Sequence, residues 1–147
     1  MKHRSQLWLC GALLILNLIF IWGNSALPAS QSGSMSGWLS RLLPFLPAGE
    51  LGHTILRKAA HFAEFASLGL LSGWMCLLLR DRISLSLLGA GLAAACVDET
   101  IQLFSPGRAS ALADVWLDSA GFGTGLLLLL LGYTYIKHKH HTEEKSS

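Results

Sequence analysis

Four long apolar stretches, separated by short polar segments, constrain this chain more than any other feature of its sequence. They cover residues 7–23, 59–79, 83–104 and 112–136. Each reaches the roughly 17 residues that a membrane-spanning helix needs, and a helix satisfies its own backbone hydrogen bonds in lipid. Only 14% of the 147 residues are charged, against about 25% in soluble domains. The sequence therefore predicts an all-α integral membrane protein, with four transmembrane helices in an antiparallel bundle.

The length allows a single domain, placed at residues 1–136. An extracytoplasmic loop at 24–52 and a cytoplasmic tail at 137–147 complete the predicted layout. A signal peptide is the rival interpretation of the first stretch, but that stretch is longer than the 7–15 residues of a signal h-region, which favours an uncleaved helix. Within the loop, residues 38–46 are expected to form either a short interfacial helix or a mobile segment. Small residues at 89–95 predict close helix packing in the third stretch.

The distribution of basic residues predicts the orientation of the bundle. With the N-terminus inside, seven of the 11 Lys and Arg residues fall on the cytoplasmic side and four outside. The positive-inside rule therefore favours an N-in, C-in protein of the cell membrane. The net charge of +2, without a basic stripe, argues against nucleic acid as a partner. The three cysteines have no metal-ligand spacing, so a structural zinc site is not indicated.

Polar residues gather at the ends of three apolar stretches that an antiparallel bundle brings to the same membrane face. In chain order they are Lys58, His61, Glu64, Asp98, Glu99, Gln102, Arg108, Asp114 and Asp118. Ionisable side chains within a bilayer are costly and generally face the bundle interior or a wet cavity. The sequence therefore predicts a polar functional site at the extracytoplasmic face.

The chemistry of these side chains supports three kinds of role. Groups that could move a proton in catalysis are His61, Glu64, Asp98, Glu99 and Asp114. Oxygen ligands for a divalent cation could come from Asp98, Glu99, Asp114 and Asp118. Contacts to an anionic substrate group could come from Lys58, Gln102 and Arg108. Neither a metal nor another cofactor is assigned by the sequence.

Structural interpretations of the same residues stay open beside the functional ones. Lys58 could extend its ammonium group to the lipid headgroups. His61 and Glu64 could form a buried pair that only fixes helix packing. The acids of the third stretch could pair with Arg108, and Asp114 could simply favour the start of its helix through the helix dipole.

The motifs also carry a family resemblance. They read Lys58-x-x-His61-Phe62-x-x-Phe65-x-x-Leu68-Gly69, then Asp98-Glu99-x-x-Gln102-x-Phe104-x-Pro106-Gly107-Arg108, then Asp114-Val115 followed by Gly121. This series resembles the VanZ-like family of small bacterial membrane proteins, over residues 58 to about 125. In the family pattern an Asn stands where this chain has Asp118, so the position has gained a carboxyl group.

The resemblance implies a function in the cell envelope, because the family is named for a protein that lowers susceptibility to the glycopeptide teicoplanin. One hypothesis is a non-enzymatic protein that binds a membrane lipid or a lipid-linked cell-wall precursor at the outer face. The alternative is a small integral-membrane enzyme, with or without a metal, acting on a phosphate- or amide-containing envelope substrate. A transporter is less favoured because no inverted repeat is visible. Whether the chain is catalytic and how it oligomerises are left open by the sequence.

Overall fold

The described part of the chain is helical. The structure, a computed structural model, describes residues 2–31, 49–80, 82–108 and 110–146. Its four helices are α1 (Lys2–Ala26), α2 (Glu50–Arg80), α3 (Ser86–Leu103) and α4 (Leu112–Ser146). No strand occurs within these residues, which confirms the predicted all-α class. The interfacial segment expected at 38–46 lies outside the described residues.

Three of the helices are long and apolar enough to cross a membrane. They are His3–Ala26, Glu50–Arg80 and the Leu112–Lys139 part of α4. α3 is not among them, because Asp98, Glu99 and Gln102 lower the mean hydropathy of its 18 residues. Three of the four predicted spans are therefore supported by length and composition, and the orientation stays a prediction.

Two helices extend beyond the apolar stretches that predicted them. α2 begins at Glu50, whereas its apolar stretch begins at residue 59. α4 continues through the predicted tail to Ser146. The apolar pattern marks the part of a helix that contacts lipid or core, and polar turns can continue the same helix beyond it. The basic residues at the start of the second stretch therefore lie on α2 itself.

α2 and α4 approach each other closely along a series of glycines. The Cα of Gly121 faces the backbone of Phe62, and a Cβ there would lie 2.5 Å from the carbonyl oxygen of Phe62. One turn further along α4, Gly125 faces the backbone of Ala66 in the same way. Small residues at such an interface allow two helix backbones to come together. We call this α2–α4 contact the glycine seam, and it sets the distance between the two helices next to the polar residues.

The apolar core lies beside the glycine seam. Phe122 is buried, and its ring covers Gly91 of α3, where any side chain would collide with it. The prediction of close packing in the third stretch thus holds at Gly91, whereas a Cβ at Gly89 would meet nothing within 4 Å. Large apolar side chains such as Trp8 and Trp116 remain exposed on the outside of the bundle. Such a surface suits contact with lipid.

The loop after α3 is fixed to the end of α1. The hydroxyl of Ser105 donates to the carbonyl of Ser25 at 2.8 Å, and the backbone N–H of Ala29 donates to the carbonyl of Pro106 at 3.1 Å. These bonds hold the end of α1 beside the end of α3. The starts of α2 and α4 lie at the same end of the bundle.

Candidate functional site

The predicted polar residues meet at one end of the bundle. Those that are buried are His61, Asp98, Glu99, Gln102 and Asp118, each exposed by 6% or less. Lys58, Glu64, Arg108 and Asp114 surround them. We call these nine residues the polar cluster. Polar side chains buried to this extent require hydrogen-bond or charge partners, and the pattern of those partners indicates what each residue does.

The centre of the polar cluster is the group of His61, Asp98 and Asp118. The Nδ1 atom of His61 lies 3.6 Å from Oδ2 of Asp98 and 3.8 Å from Oδ1 of Asp118. Both distances exceed those of an ordinary hydrogen bond. Gln102 donates from Nε2 to Oδ2 of Asp98 at 2.8 Å, one helical turn away, and so orients that carboxylate. The three central groups are therefore close enough to share a ligand but do not bond directly to one another.

Several oxygens in this centre are buried without a hydrogen-bond partner. Within the described residues, both carboxylate oxygens of Asp118 and Oδ1 of Asp98 have none. Asp118 and Asp98 are each fully buried. An ionised carboxylate in such a position is strongly destabilising, so a proton, a water molecule or a cation must complete the site.

Lys58 and Asp114 form an ion pair between α2 and α4. The Nζ atom of Lys58 lies 2.5 Å from Oδ1 of Asp114, and the side chain of Lys58 remains 42% exposed. The pair lies between the buried centre and the surface. Asp114 is thus engaged by a cation, and its role goes beyond the favourable dipole interaction expected at the start of a helix.

Glu64 belongs to the contact between α1 and α2. Its Oε1 atom accepts a hydrogen bond from Nδ2 of Asn24 at 3.0 Å. A spacing of three residues displaces Glu64 from His61 by about 60° around the helix, which turns its carboxylate toward α1. The structure therefore does not contain the buried pair of His61 and Glu64 that the sequence left open.

Glu99 caps the start of α4. Its Oε2 atom accepts hydrogen bonds from the hydroxyl of Ser110 at 2.6 Å and from the backbone N–H of Ala111 at 3.0 Å. The first amides of a helix lack partners within the helix, and a nearby acceptor satisfies them. Of the four acids considered as metal ligands, Glu99 and Asp114 consequently have partners away from His61, although Oε1 of Glu99 is buried and free among the described residues. Asp98 and Asp118 lie beside His61 and keep free oxygens.

Arg108 caps the end of α1 instead of pairing with an acid of α3. It donates from Nε to the carbonyl of Leu27 and from Nη2 to the carbonyl of Asn24, each at 3.0 Å. Burial, followed by repulsion from Arg57, lowers the pKa of the guanidinium, while Asp98 opposes that shift. An arginine nevertheless stays charged in a protein. Its Nη1 atom is buried without a partner among the described residues.

A small polar cavity leads from the surface into the polar cluster. It has a volume of about 10 Å³, and the residues that line it include Arg57, Lys58, His61, Asp114 and Asp118. That volume accommodates about one water molecule or a small ion. The buried side chains of His61 and Asp118 thus form the floor of the cavity, and the partly exposed basic residues of α2 lie at its mouth. Asp98 lies beside His61 and does not line the cavity.

Sequence reasoning missed two residues of this region. Arg57 lines the cavity, although its sequence position indicated no more than a charge next to Lys58. Asn24 bonds to Glu64, although the first apolar stretch ends one residue earlier. Asn24 could have been identified if the first helix had been extended beyond its apolar stretch, because α1 continues to Ala26 and therefore includes Asn24.

Comparison with known proteins gives one match. The model of the family described as VanZ/LLP1 matches residues 10–133, which include the whole polar cluster. No curated protein and no solved structure gives a significant match to the chain.

Proposed function

The chain belongs to the VanZ/LLP1 family, and from that premise we propose that its polar cluster binds the anionic headgroup of a membrane lipid or of a lipid-linked envelope precursor. The proposed location is the extracytoplasmic face of the cell membrane. Through this binding the protein lowers susceptibility to teicoplanin-type glycopeptides. The family match and the three apolar helices support a VanZ-like membrane protein.

The main support for this proposal is that two basic side chains, Arg57 and Lys58, lie at the mouth of the cavity. Arg57 and Lys58 both line the cavity, on a helix that is otherwise largely apolar. Lys58 is engaged by Asp114, whereas Arg57 has no carboxylate of the described residues within ion-pair distance. A guanidinium group presents two parallel N–H donors to a phosphate or carboxylate. Arg57 is therefore the first contact for an anionic headgroup in this proposal.

A fourth membrane span formed by α3 is part of the proposal. Its 18 residues extend about 27 Å at 1.5 Å per residue, close to the roughly 30 Å of a bilayer core. The polar residues that lower its mean hydropathy, Asp98, Glu99 and Gln102, are buried against the other helices. Leu92 and Leu103 are exposed and would face lipid. Four spans would bring both termini to the same side.

The proposed orientation and the proposed effect on glycopeptide susceptibility rest on different observations. The excess of basic residues near both termini favours an N-in, C-in protein, which directs the polar cluster outward. A site that holds an envelope precursor at the outer face would alter the access of amphiphilic antibiotics. Teicoplanin is the compound named because the VanZ-like family takes its name from a protein that acts on susceptibility to it.

The first test compares the protein with two charge variants. Arg57→Gln removes the one of the two cations at the cavity mouth that is unpaired among the described residues, and Lys137→Gln removes an exposed cation of α4 far from the cavity. Each protein, in neutral detergent, is titrated with short-chain phosphatidylglycerol and with phosphatidylcholine of the same chain length. We expect the wild type and Lys137→Gln to bind the anionic lipid more tightly, and Arg57→Gln to lose that preference.

The second test measures the function in cells. Teicoplanin and vancomycin susceptibility are compared in a Gram-positive host that produces the wild type, Arg57→Gln or Lys137→Gln at equal membrane abundance. Protection by the wild type and Lys137→Gln, with loss in Arg57→Gln, is the expected result. Equal susceptibility of the host with and without the wild type would refute the link to glycopeptides. Equal protection by all three proteins would refute the role of Arg57.

A further inference from the structure

We propose that His61, Asp98 and Asp118 hold a divalent transition-metal cation at the floor of the cavity, with Zn²⁺ preferred. The three residues come from α2, α3 and α4, and each is at least 94% buried. This metal site does not depend on the proposed headgroup binding. Its ligands are the three residues of the buried centre, whereas the headgroup would contact the cations at the cavity mouth.

The distances among the three donor groups suit one metal ion. One imidazole nitrogen and one oxygen from each carboxylate all lie within 4.8 Å of one another. Two of these separations are 3.6 and 3.8 Å. In a tetrahedral zinc site with bonds of about 2.0–2.2 Å, neighbouring ligand atoms lie roughly 3.3–3.6 Å apart. The two separations from Nδ1 of His61 are close to that spacing.

The free oxygens of Asp118 are independent evidence for a ligand. Asp118 is fully buried, it lines the cavity, and neither of its carboxylate oxygens has a hydrogen-bond partner among the described residues. Oδ1 of Asp98 is buried and free as well. The other buried acid, Glu99, uses one oxygen to cap α4. Of the five buried carboxylate oxygens without a partner among the described residues, three therefore belong to the two carboxylates beside His61, and the other two are Oε2 of Glu64 and Oε1 of Glu99.

The charge around the centre also favours a divalent cation. The carboxyl groups of the polar cluster are those of Glu64, Asp98, Glu99, Asp114 and Asp118. The basic side chains near them are those of Arg57, Lys58 and Arg108. The five carboxyl groups thus outnumber the three basic side chains, and such an excess of acidic groups is compatible with a bound cation.

The surroundings provide an oriented ligand and a route of entry. Gln102 donates to Oδ2 of Asp98, a contact of the kind that orients metal ligands in proteins. The cavity of about 10 Å³ holds roughly one water molecule, which would be the fourth ligand. A nitrogen ligand with two carboxylates favours Zn²⁺ over Mg²⁺, because Mg²⁺ prefers six oxygen ligands and keeps much of its water.

The experiment measures metal binding by the full chain in neutral detergent, without lipid, so a failure of headgroup binding cannot affect it. The protein is treated with a chelator and titrated with Zn²⁺ against a chromophoric competitor, and Mg²⁺ is titrated in parallel. Three tail histidines are removed in every protein by the substitutions His138→Gln, His140→Gln and His141→Gln, because a histidine-rich tail can bind Zn²⁺ by itself. The test variants are Asp98→Asn and Asp118→Asn.

Glu64→Gln serves as the matched control. It removes a carboxylate of the same cluster, and its amide oxygen can still accept the bond from Asn24. We expect one Zn²⁺ per chain, at least a hundredfold weaker binding in Asp98→Asn and Asp118→Asn, and less than a tenfold change in Glu64→Gln. Co²⁺ bound to the otherwise unaltered protein should give the intense visible absorption of a four-coordinate site.

Three results would overturn the proposal. One is the absence of stoichiometric Zn²⁺ binding, with no visible Co²⁺ spectrum, which would mean that a proton satisfies Asp118. Another is weakening by Glu64→Gln equal to that by Asp118→Asn, which would mean that the cluster attracts cations only through its charge. The third is equal affinity for Mg²⁺ and Zn²⁺. The Co²⁺ spectrum needs no substitution at the site, so the test does not depend on the folding of the aspartate variants.

Discussion

Adding one methyl group at Gly121 should both destabilise the protein and open its polar centre. Gly121 lies on the glycine seam, where a Cβ would be 2.5 Å from the carbonyl oxygen of Phe62. Ordinary van der Waals contact for such an atom begins at about 3.4 Å. The obstacle is backbone, which cannot rotate away as a side chain can. α2 and α4 must therefore separate by about 0.9 Å at this point.

The separation acts directly on the polar centre, because Phe62 follows His61 on α2 and Gly121 lies one turn after Asp118 on α4. The distance from His61 Nδ1 to Asp118 Oδ1, now 3.8 Å, would increase to about 4.7 Å if it followed the helices. Overpacking of this kind costs roughly 1–3 kcal/mol of the free energy of unfolding. Replacing Gly by Ala within a helix contributes up to about 1 kcal/mol in the opposite direction.

Gly123 provides the control for that helix-propensity gain. It lies on the same helix, and a Cβ there would meet nothing within 4 Å. The measurement is thermal unfolding in detergent of Gly121→Ala and Gly123→Ala, followed by Zn²⁺ titration of both. We expect Gly121→Ala to be less stable than Gly123→Ala by about 1–3 kcal/mol, and to bind Zn²⁺ at least tenfold more weakly.

Equal unfolding temperatures for the two alanine variants would refute the close approach of α2 and α4. A lower stability of Gly121→Ala with unchanged Zn²⁺ affinity would have a different meaning. It would confirm the close approach and show that the seam does not set the distance between His61 and Asp118.

Three further predictions concern the ends of the helices. Arg108→Lys should lower the free energy of unfolding by about 1–3 kcal/mol in thermal unfolding, because one ammonium group cannot reproduce both bonds to the carbonyls at the end of α1. Glu99→Ala should cost about 1–2 kcal/mol as a lost cap, whereas Glu99→Gln should keep most of the stability because its amide oxygen can accept the same two bonds; equal losses would argue against capping. The orientation is tested with single cysteines at Thr54 and at Lys137, in a protein whose native cysteines are replaced by alanine. A membrane-impermeant thiol reagent should modify the cysteine at 54 only from outside the cell and the cysteine at 137 only from inside. The reverse pattern would show that the protein has the opposite orientation.

The sequence predicted the convergence of the polar residues because helix direction alone determines it. In an antiparallel bundle the start of α2, the end of α3 and the start of α4 lie together, whatever the rotation of each helix. The bond between Gln102 and Asp98 follows from the same kind of reasoning, since residues four apart are neighbours on a helix. Both depend on chain order and helical period, which the sequence contains.

The individual pairings could not be predicted in this way, because they depend on how each helix is rotated about its axis. Glu64 faces Asn24 instead of His61, and Arg108 faces backbone carbonyls instead of carboxylates. The rotation of α2 against α4 follows from the glycine seam, whose contacts join residues about 60 positions apart in the chain. No local pattern identifies which glycines of an apolar stretch face another backbone and which, like Gly123, face open space.

Because α4 is one continuous helix, a small tilt at the polar centre produces a larger displacement at its distant end. From Asp118 to Thr142 the helix continues without interruption for about 36 Å at 1.5 Å per residue. A tilt of α4 by about 5° at its buried end would therefore displace Thr142 by about 3 Å. If ligand binding at the polar centre tilts α4, the movement of its distant end can be detected with a spin label at the exposed position 142.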